Sequence, residues 1–131
     1  DIEITPDELV YLKSAFMDDC KVLDGETNKY TDIYNMTLAA GDDPYDIFLS
    51  GAKSLITIEN PSASADKELV IFRDSFASSI APLLAEGYSK ITLVDIRYIS
   101  PQLLGRFVDF GGQDVLFLYS APVLNNSVTI K

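Results

Sequence analysis

The chain contains no histidine and no tryptophan, and among its 131 residues there is a single cysteine, Cys20. Without histidine, neither a Ser–His–Asp nor a Cys–His arrangement can form from this chain alone. One cysteine excludes an intrachain disulfide and a thiolate metal cluster. With no imidazole to lower its pKa, Cys20 reads as a small buried apolar group near a helix end. Basic residues are scarce: ten Lys and Arg face twenty Asp and Glu, a formal net charge of −10. That field repels phosphate backbones and anionic headgroups, so nucleic acid and membrane surfaces are excluded as expected partners. No apolar run approaches the ~20 residues needed to span a bilayer, so no membrane insertion by this segment is expected. Asp1-Ile2-Glu3 opens directly into folded-looking sequence with neither an initiator Met nor a signal-peptide pattern, which reads as a processed or excised segment.

What is present suffices for a core. Hydrophobic residues make up 47% of the chain, with seven Tyr and seven Phe, and the length suits one α/β domain over residues 1–131. Thr5-Pro6-Asp7-Glu8 is a helix start: an N-cap Thr, a Pro at the first helical position and a Glu closing the capping box. Leu9, Leu12 and Phe16 then recur at helical spacing, which predicts an amphipathic helix over 6–19. Residues 20–66 are less regular. Asp24–Asn28 and Gly41–Pro44 read as turns, Tyr30–Leu38 as a strand or an irregular connection, and Tyr45–Leu49 and Leu55–Ile58 as short strands.

The pattern sharpens over 67–120. Leu69–Phe72, Ile91–Ile96 and Val115–Tyr119 are continuous apolar runs of the kind that form parallel strands covered on both faces. Val70, Ile71, Leu93, Val94, Leu116, Phe117 and Leu118 are the expected buried set. Between the runs lie two helical stretches, Ser75–Glu86, which Pro82 must kink or begin, and one from Ser100-Pro101 to Gly111-Gly112. A β-α-β-α-β unit with short links implies right-handed crossovers. The expected fold is therefore α/β, a mainly parallel sheet flanked by helices in a flavodoxin-like or SGNH-like three-layer sandwich.

In such sheets ligands bind beyond the carboxyl ends of the strands. Three groups of residues are expected there: Arg73-Asp74-Ser75-Phe76, Asp95-Ile96-Arg97-Tyr98, and Ser120-Ala121-Pro122. Ser75 sits at a strand-to-helix turn, where its hydroxyl meets the free amides of a helix start. The plainer reading makes Ser75 or Asp74 the helix N-cap. Asp74 and Asp95, at neighbouring strand ends, have the chemistry to hold Mg²⁺ or share a proton, or else to cap a helix and pair with Arg73 or Arg97. No metal site is assigned. The dinucleotide fingerprint, the Walker loop and the G-x-S-x-G elbow are all absent. A phosphate loop from Ser75, Ser78 and Ser79 lacks the glycine for close backbone approach, so no cofactor is expected.

The stretch Glu68–Ala85, ELVIFRDSFASSIAPLLA, resembles the DHHW proteins, a bacterial branch of the SGNH-hydrolase-like superfamily. The resemblance continues through Ile91–Tyr98 and Asp114–Ser120, and upstream through Tyr45–Gly51. Asp74-Ser75-Phe76 in its strand-turn-helix setting is the most specific part, and a more distant likeness to alginate O-acetyltransferase domains rests on the same tripeptide. The resemblance implies Ser75 as a nucleophile in acyl or acetyl-ester chemistry on cell-envelope carbohydrate, outside the cytoplasm, with Asp74, Phe76, Asp95, Tyr98 and Gly51 as binding residues. The Asp and His of the family's signature would lie upstream, and this chain has no His. A Gly-Asn pair is implied near Gly51, where Ala52 and Lys53 follow instead. Two expectations result: a Ser-bearing fragment or degenerate member of an SGNH-like esterase or acetyltransferase, inactive as it stands and missing an N-terminal segment, or a non-catalytic binding domain on the same scaffold.

Overall fold

The computed structural model describes residues 8–126 and residue 128. Six strands form one mixed sheet, in the order β2-β1-β3-β5-β4-β6. They are β1 (Lys21–Asp24), β2 (Lys29–Thr31), β3 (Leu55–Glu59), β4 (Glu68–Arg73), β5 (Lys90–Val94) and β6 (Asp114–Leu118). The helices are α1 (Ala77–Leu84) and the single-turn α2 (Ala121–Asn125). The three apolar runs do pair in parallel, with β4 between β5 and β6. The other half of the sheet is antiparallel: β3 pairs with β5, β1 with β3, and β2 with β1. The expected mainly parallel sheet flanked by helices is therefore wrong. The fold is α/β-like, but mixed, and only α1 is an α-helix of more than five residues among the described residues.

The corrections have local causes. The expected helix over 6–19 begins outside the described residues; residues 8–14 have no regular structure, and Ala15–Asp18 form one 3₁₀ turn. An isolated helix of that length is marginal without a surface to cover, and Val10 and Leu12 remain exposed. The segment is instead tied down by the Tyr34 hydroxyl, which donates to the Leu12 carbonyl at 2.5 Å, and by Tyr11 packing on Tyr34. Over 100–110 the structure forms 3₁₀ turns, Pro101–Arg106, rather than an α-helix. Gly105 lies inside that stretch and weakens helix propagation. Tyr45 falls in a 3₁₀ turn, Pro44–Ile47, opened by the Asp43 carboxylate accepting from the Tyr45 amide. β1 carries no sequence periodicity of its own and owes its form to pairing with β2 and β3.

The β1–β2 hairpin turns on Asp24, whose carboxylate accepts from the Glu26 and Thr27 amides. At Gly25 a Cβ would lie 2.7 Å from Leu55 Cδ2, which is why a side chain does not fit there. Alternation along the strands builds a core on each face. On one face Ile56, Ile58, Leu69, Ile71, Ile91 and Leu93 share a core with Ala77 and Ala81 of α1 and with Ala85 just after it. Small alanines let that helix approach closely. On the other face Leu55, Val70, Phe72 and Val94 meet Leu104 and Val108. Cys20 is buried in the first core, its thiol donating to the Phe16 carbonyl, and burial raises its pKa to about 11. No helix among the described residues is long and apolar enough to cross a membrane.

β6 departs from the expected burial. Leu116 and Leu118 are half-buried, while Val115 is 48% and Phe117 66% exposed. The strand is a sheet edge, with β4 alone as its neighbour.

Candidate active site

β4 and β5 end the same way. Each runs into an aspartate whose carboxylate accepts from the amide two residues on: Asp74 Oδ1 from Phe76 at 3.0 Å, and Asp95 Oδ1 from Arg97 at 3.1 Å. Such Asx turns stop a strand sharply. In the first, the Asp74 carbonyl also accepts from the Ala77 amide at the start of α1. The N-cap of α1 is Phe76, without a side-chain capping bond, so neither Asp74 nor Ser75 caps the helix as the plainer reading expected; the Asp74 carboxylate closes the turn before it. Its second oxygen accepts from the Ser120 amide at 2.7 Å, tying the end of β6 to the same point.

Ser75 lies in the turn between β4 and α1, half-buried. Its carbonyl accepts from Ser78, but neither its hydroxyl nor its amide has a hydrogen-bond partner among the described residues. Ser75, Tyr45 and Phe76 line a depression of about 140 Å³. A larger hollow of about 460 Å³, between Asp19, Glu59, Asn60 and Asp66, lies at the opposite end of the sheet. Of the expected site residues, Ser75 and Phe76 line the smaller one.

Two residues that sequence reasoning did not single out hold this turn. The Tyr45 hydroxyl accepts from the Ser79 amide at 3.3 Å and lies 3.2 Å from the Ser75 carbonyl and 3.1 Å from that of Phe76. Arg73 is fully buried. It donates to the Asp74 carbonyl and the Ser78 hydroxyl through one terminal nitrogen, and to the Lys53 carbonyl at 2.9 Å through the other. Its Nε has no partner among the described residues. The Arg73 fork and the Tyr45 hydroxyl therefore fasten the 43–54 segment to the Ser75 turn at two points. The signal for Arg73 was visible: a guanidinium closing a run of four apolar residues is rarely left unpaired. For Tyr45 the signal was only its place in the resembling segment Tyr45–Gly51.

Asp95 is buried and pairs in bidentate fashion with Arg97, at 2.9 and 2.7 Å, and the Arg97 guanidinium lies over the exposed Tyr98 ring. Asp74 and Asp95 are thus each occupied, and no group of three metal-ligating side chains occurs among the described residues. Burial alone would raise the Asp74 pKa. The amide and hydroxyl of Ser120, the Phe76 amide and the charge of Arg97 together outweigh it and hold that carboxyl below its ordinary value of 3.8. Burial pulls the Arg73 guanidinium down, and the hydrogen bonds to Asp95 push Arg97 up. Asp95 and Tyr98 do not line the depression, nor does Gly51. Gly51 sits at φ +91° after two other left-handed residues, Leu49 and Ser50, and a Cβ there would lie 2.8 Å from Asp46 Oδ1.

The lowered Asp74 pKa has a definite sign. A carboxylate favoured in the folded state contributes stability that is fully present above its unfolded pKa and is lost as pH falls through its folded one. Asp74→Asn is therefore expected to lower stability at neutral pH and to flatten its decline below about pH 4. Urea titrations of both proteins across that range would show it; parallel curves would mean that Asp74 is not a source of the acid sensitivity.

No family model and no curated protein matches the chain. Solved structures do. Bacillus cereus PatB1 superposes with a TM-score of 0.59 at 26% identity, covering 80% of this chain and 36% of its own. Its form with a sulfonyl adduct gives 0.59 at 25%, over 80% and 38%. A DHHW family protein from Eubacterium siraeum gives 0.60 at 22%, over 86% of this chain and 37% of its own. The chain shares the fold of DHHW-type, SGNH-like proteins. The likeness supports, at the level of the fold, the relation to DHHW-type, SGNH-like proteins that its sequence resembles. It spans less than two-fifths of the length of each of these neighbours.

Proposed function

We propose that Ser75 is the nucleophile position of an SGNH-like esterase or acyltransferase site acting on acyl esters of cell-envelope carbohydrate outside the cytoplasm, and that these 131 residues alone are inactive. The observation that carries this reading is the uncommitted Ser75 hydroxyl. Ser75 does not cap α1, whose N-cap is Phe76, yet it is presented at a strand-to-helix turn beside a depression. In the reaction the Oγ–C bond forms at the acyl carbon, the ester C–O bond breaks, and the serine proton passes through a base to the departing alkoxide. The acyl group then leaves to water or to another hydroxyl. The Ser75 amide is the one backbone donor of the turn without a protein partner, and this reading assigns it to the oxyanion.

The base is the missing part. A serine hydroxyl is almost wholly protonated at neutral pH, the chain has no His, and the Asp74 carboxylate is already held by Phe76 and Ser120. The 131-residue chain is expected to hydrolyse p-nitrophenyl acetate no faster than its Ser75→Ala variant. Imidazole, supplied as a diffusible base, is expected to promote phenylmethanesulfonyl labelling at Ser75, read by peptide mass spectrometry. Labelling spread equally over tyrosines and lysines, or unchanged in Ser75→Ala, would overturn the assignment.

A second reading, a non-catalytic binding domain, draws on the amides that follow Ser75. Phe76, Ala77, Ser78 and Ser79 all donate within the protein, which leaves little of an oxyanion hole. Inert Ser75 in the presence of imidazole is the result expected from that reading.

A further inference from the structure

An α-helix leaves the amides of its first turn without carbonyl partners inside the helix. In α1 the four amides from Phe76 to Ser79 are all accounted for. The Asp74 carboxylate accepts from Phe76 at 3.0 Å, the Asp74 carbonyl from Ala77 at 3.3 Å, and the Ser75 carbonyl from Ser78 at 3.0 Å. Those three bonds are made within the turn itself. The Ser79 amide instead donates to the Tyr45 hydroxyl at 3.3 Å, 34 positions back along the chain. The N-cap residue, Phe76, has no side-chain oxygen for this purpose and makes no side-chain cap. The same Tyr45 hydroxyl has one proton to share among the Ser75 carbonyl at 3.2 Å, the Phe76 carbonyl at 3.1 Å and Ser79 Oγ at 3.1 Å. Tyr45 is itself firmly mounted. Its amide donates to the Asp43 carboxylate at 3.0 Å, its ring packs on Phe48 at 5.0 Å between centroids, and Ile47, Phe48 and Leu49 just after it are buried.

We infer that Tyr45 is a positioning residue for Ser75: its hydroxyl caps α1 from outside the helix and holds the peptide after Ser75 in the orientation that aims the serine Oγ. The inference rests on the reading of Ser75 as a nucleophile and adds the residue that aims it. The Ser75–Phe76 peptide is gripped at both poles, its N–H by Asp74 and its C=O by Ser78 and Tyr45. Asp74 and Ser78 belong to the turn and move with it. Tyr45 belongs to another segment, so at this peptide it is the group that refers the turn to the rest of the fold. With the peptide fixed, the Ser75 side chain keeps only its own rotation, and a nucleophile held that closely loses little rate to misalignment. A ring packed on Phe48 needs no hydroxyl. Placing that oxygen against the Ser79 amide and the Ser75 and Phe76 carbonyls is a separate feature of the residue.

The test compares Tyr45→Phe with Tyr88→Phe, which also removes one phenol hydroxyl, bonded to Asp114 at the amino end of β6. Phenylmethanesulfonyl fluoride with imidazole labels Ser75 by forming an Oγ–S bond and releasing fluoride, the serine proton passing to imidazole. Tyr45→Phe is expected to lower the limiting rate of that labelling about tenfold, within the cost of a small misplacement. The reagent concentration giving half that rate should not change, because the ring beside Ser75 is kept. Hydrogen exchange of the Ser79 amide should quicken about tenfold as its cap is lost. Tyr88→Phe should alter neither readout. Where Tyr45→Phe melts too early to label, Asp43→Ala, which removes only the bond opening the Tyr45 turn, should slow labelling by a smaller factor. Equal labelling of parent and Tyr45→Phe overturns this inference and leaves the nucleophile reading standing. Equal slowing by Tyr88→Phe, or unchanged exchange at Ser79, does the same. A parent chain that is not labelled at all overturns the nucleophile reading and this inference with it.

Discussion

Arg73→Ala is expected to cost about 3–5 kcal/mol of folding stability, in the range seen when one member of a buried charged cluster is removed. Arg73 is fully buried, and its loss orphans the Lys53 carbonyl and the Ser78 hydroxyl at once and takes one of two donors from the Asp74 carbonyl. Each buried acceptor left without a donor costs about 1–3 kcal/mol, and the cavity adds to that. The buried carboxylates Asp74 and Asp95 also lose a neighbouring positive charge. Opposing these losses is the desolvation of the guanidinium itself, which its replacement relieves. Arg73→Met, which keeps volume and removes that penalty, should therefore fall between the variant with Ala and the parent. Chemical denaturation measures both. A loss under about 1 kcal/mol for the Ala variant would mean that the desolvation cost nearly cancels the bonds.

The second large effect separates a central strand from an edge. Ile71→Ala, fully buried in β4 beneath α1, should cost about 2–5 kcal/mol. Leu116→Ala, half-buried on β6, should cost roughly half that, since it gives up less burial. From sequence the two positions are equivalent, each inside an apolar run of similar length. Equal losses in a thermal or urea titration would mean that β6 is covered in solution by something the monomer does not supply.

That equivalence marks the limit of what the residues alone disclose. β4, β5 and β6 were legible because continuous runs such as Leu69–Phe72 have no other stable use, and their parallel pairing followed from the links between them. Which of them lies at an edge was not legible, because Val115 and Phe117 are as apolar as Val70 and Phe72. The antiparallel half was lost for a different reason. β1 is four residues long with a single fully buried side chain, Val22, so tertiary pairing rather than periodicity makes it a strand. The helix expected over 6–19 shows the reverse failure: capping residues and spacing favour it locally, but the sheet offers Leu9 and Leu12 nothing to cover. At the candidate site, the aspartates, Ser75 and Phe76 were in view because strand ends announce themselves by a switch from apolar to polar. Tyr45 was not, since its 30-residue reach to Ser75 is a property of the fold and leaves no trace in spacing.

The order of strands across the sheet also bears on how the chain is made. β4 is flanked by β5 and β6, and the register joins Leu69 to Asp114, so β6 closes the longest in sequence of the described strand pairings. Non-local closure of that kind slows folding relative to hairpins such as β1–β2. On the ribosome, at about 5–20 residues per second, β4 therefore waits several seconds with one edge open after β5 has docked. During that interval Val70 and Phe72 stand beside an unfilled lane in the sheet, and the nascent chain is at its most vulnerable to joining with a neighbour. A slow codon near the end of β5 would lengthen the exposure, whereas rapid passage through 114–118 would shorten it.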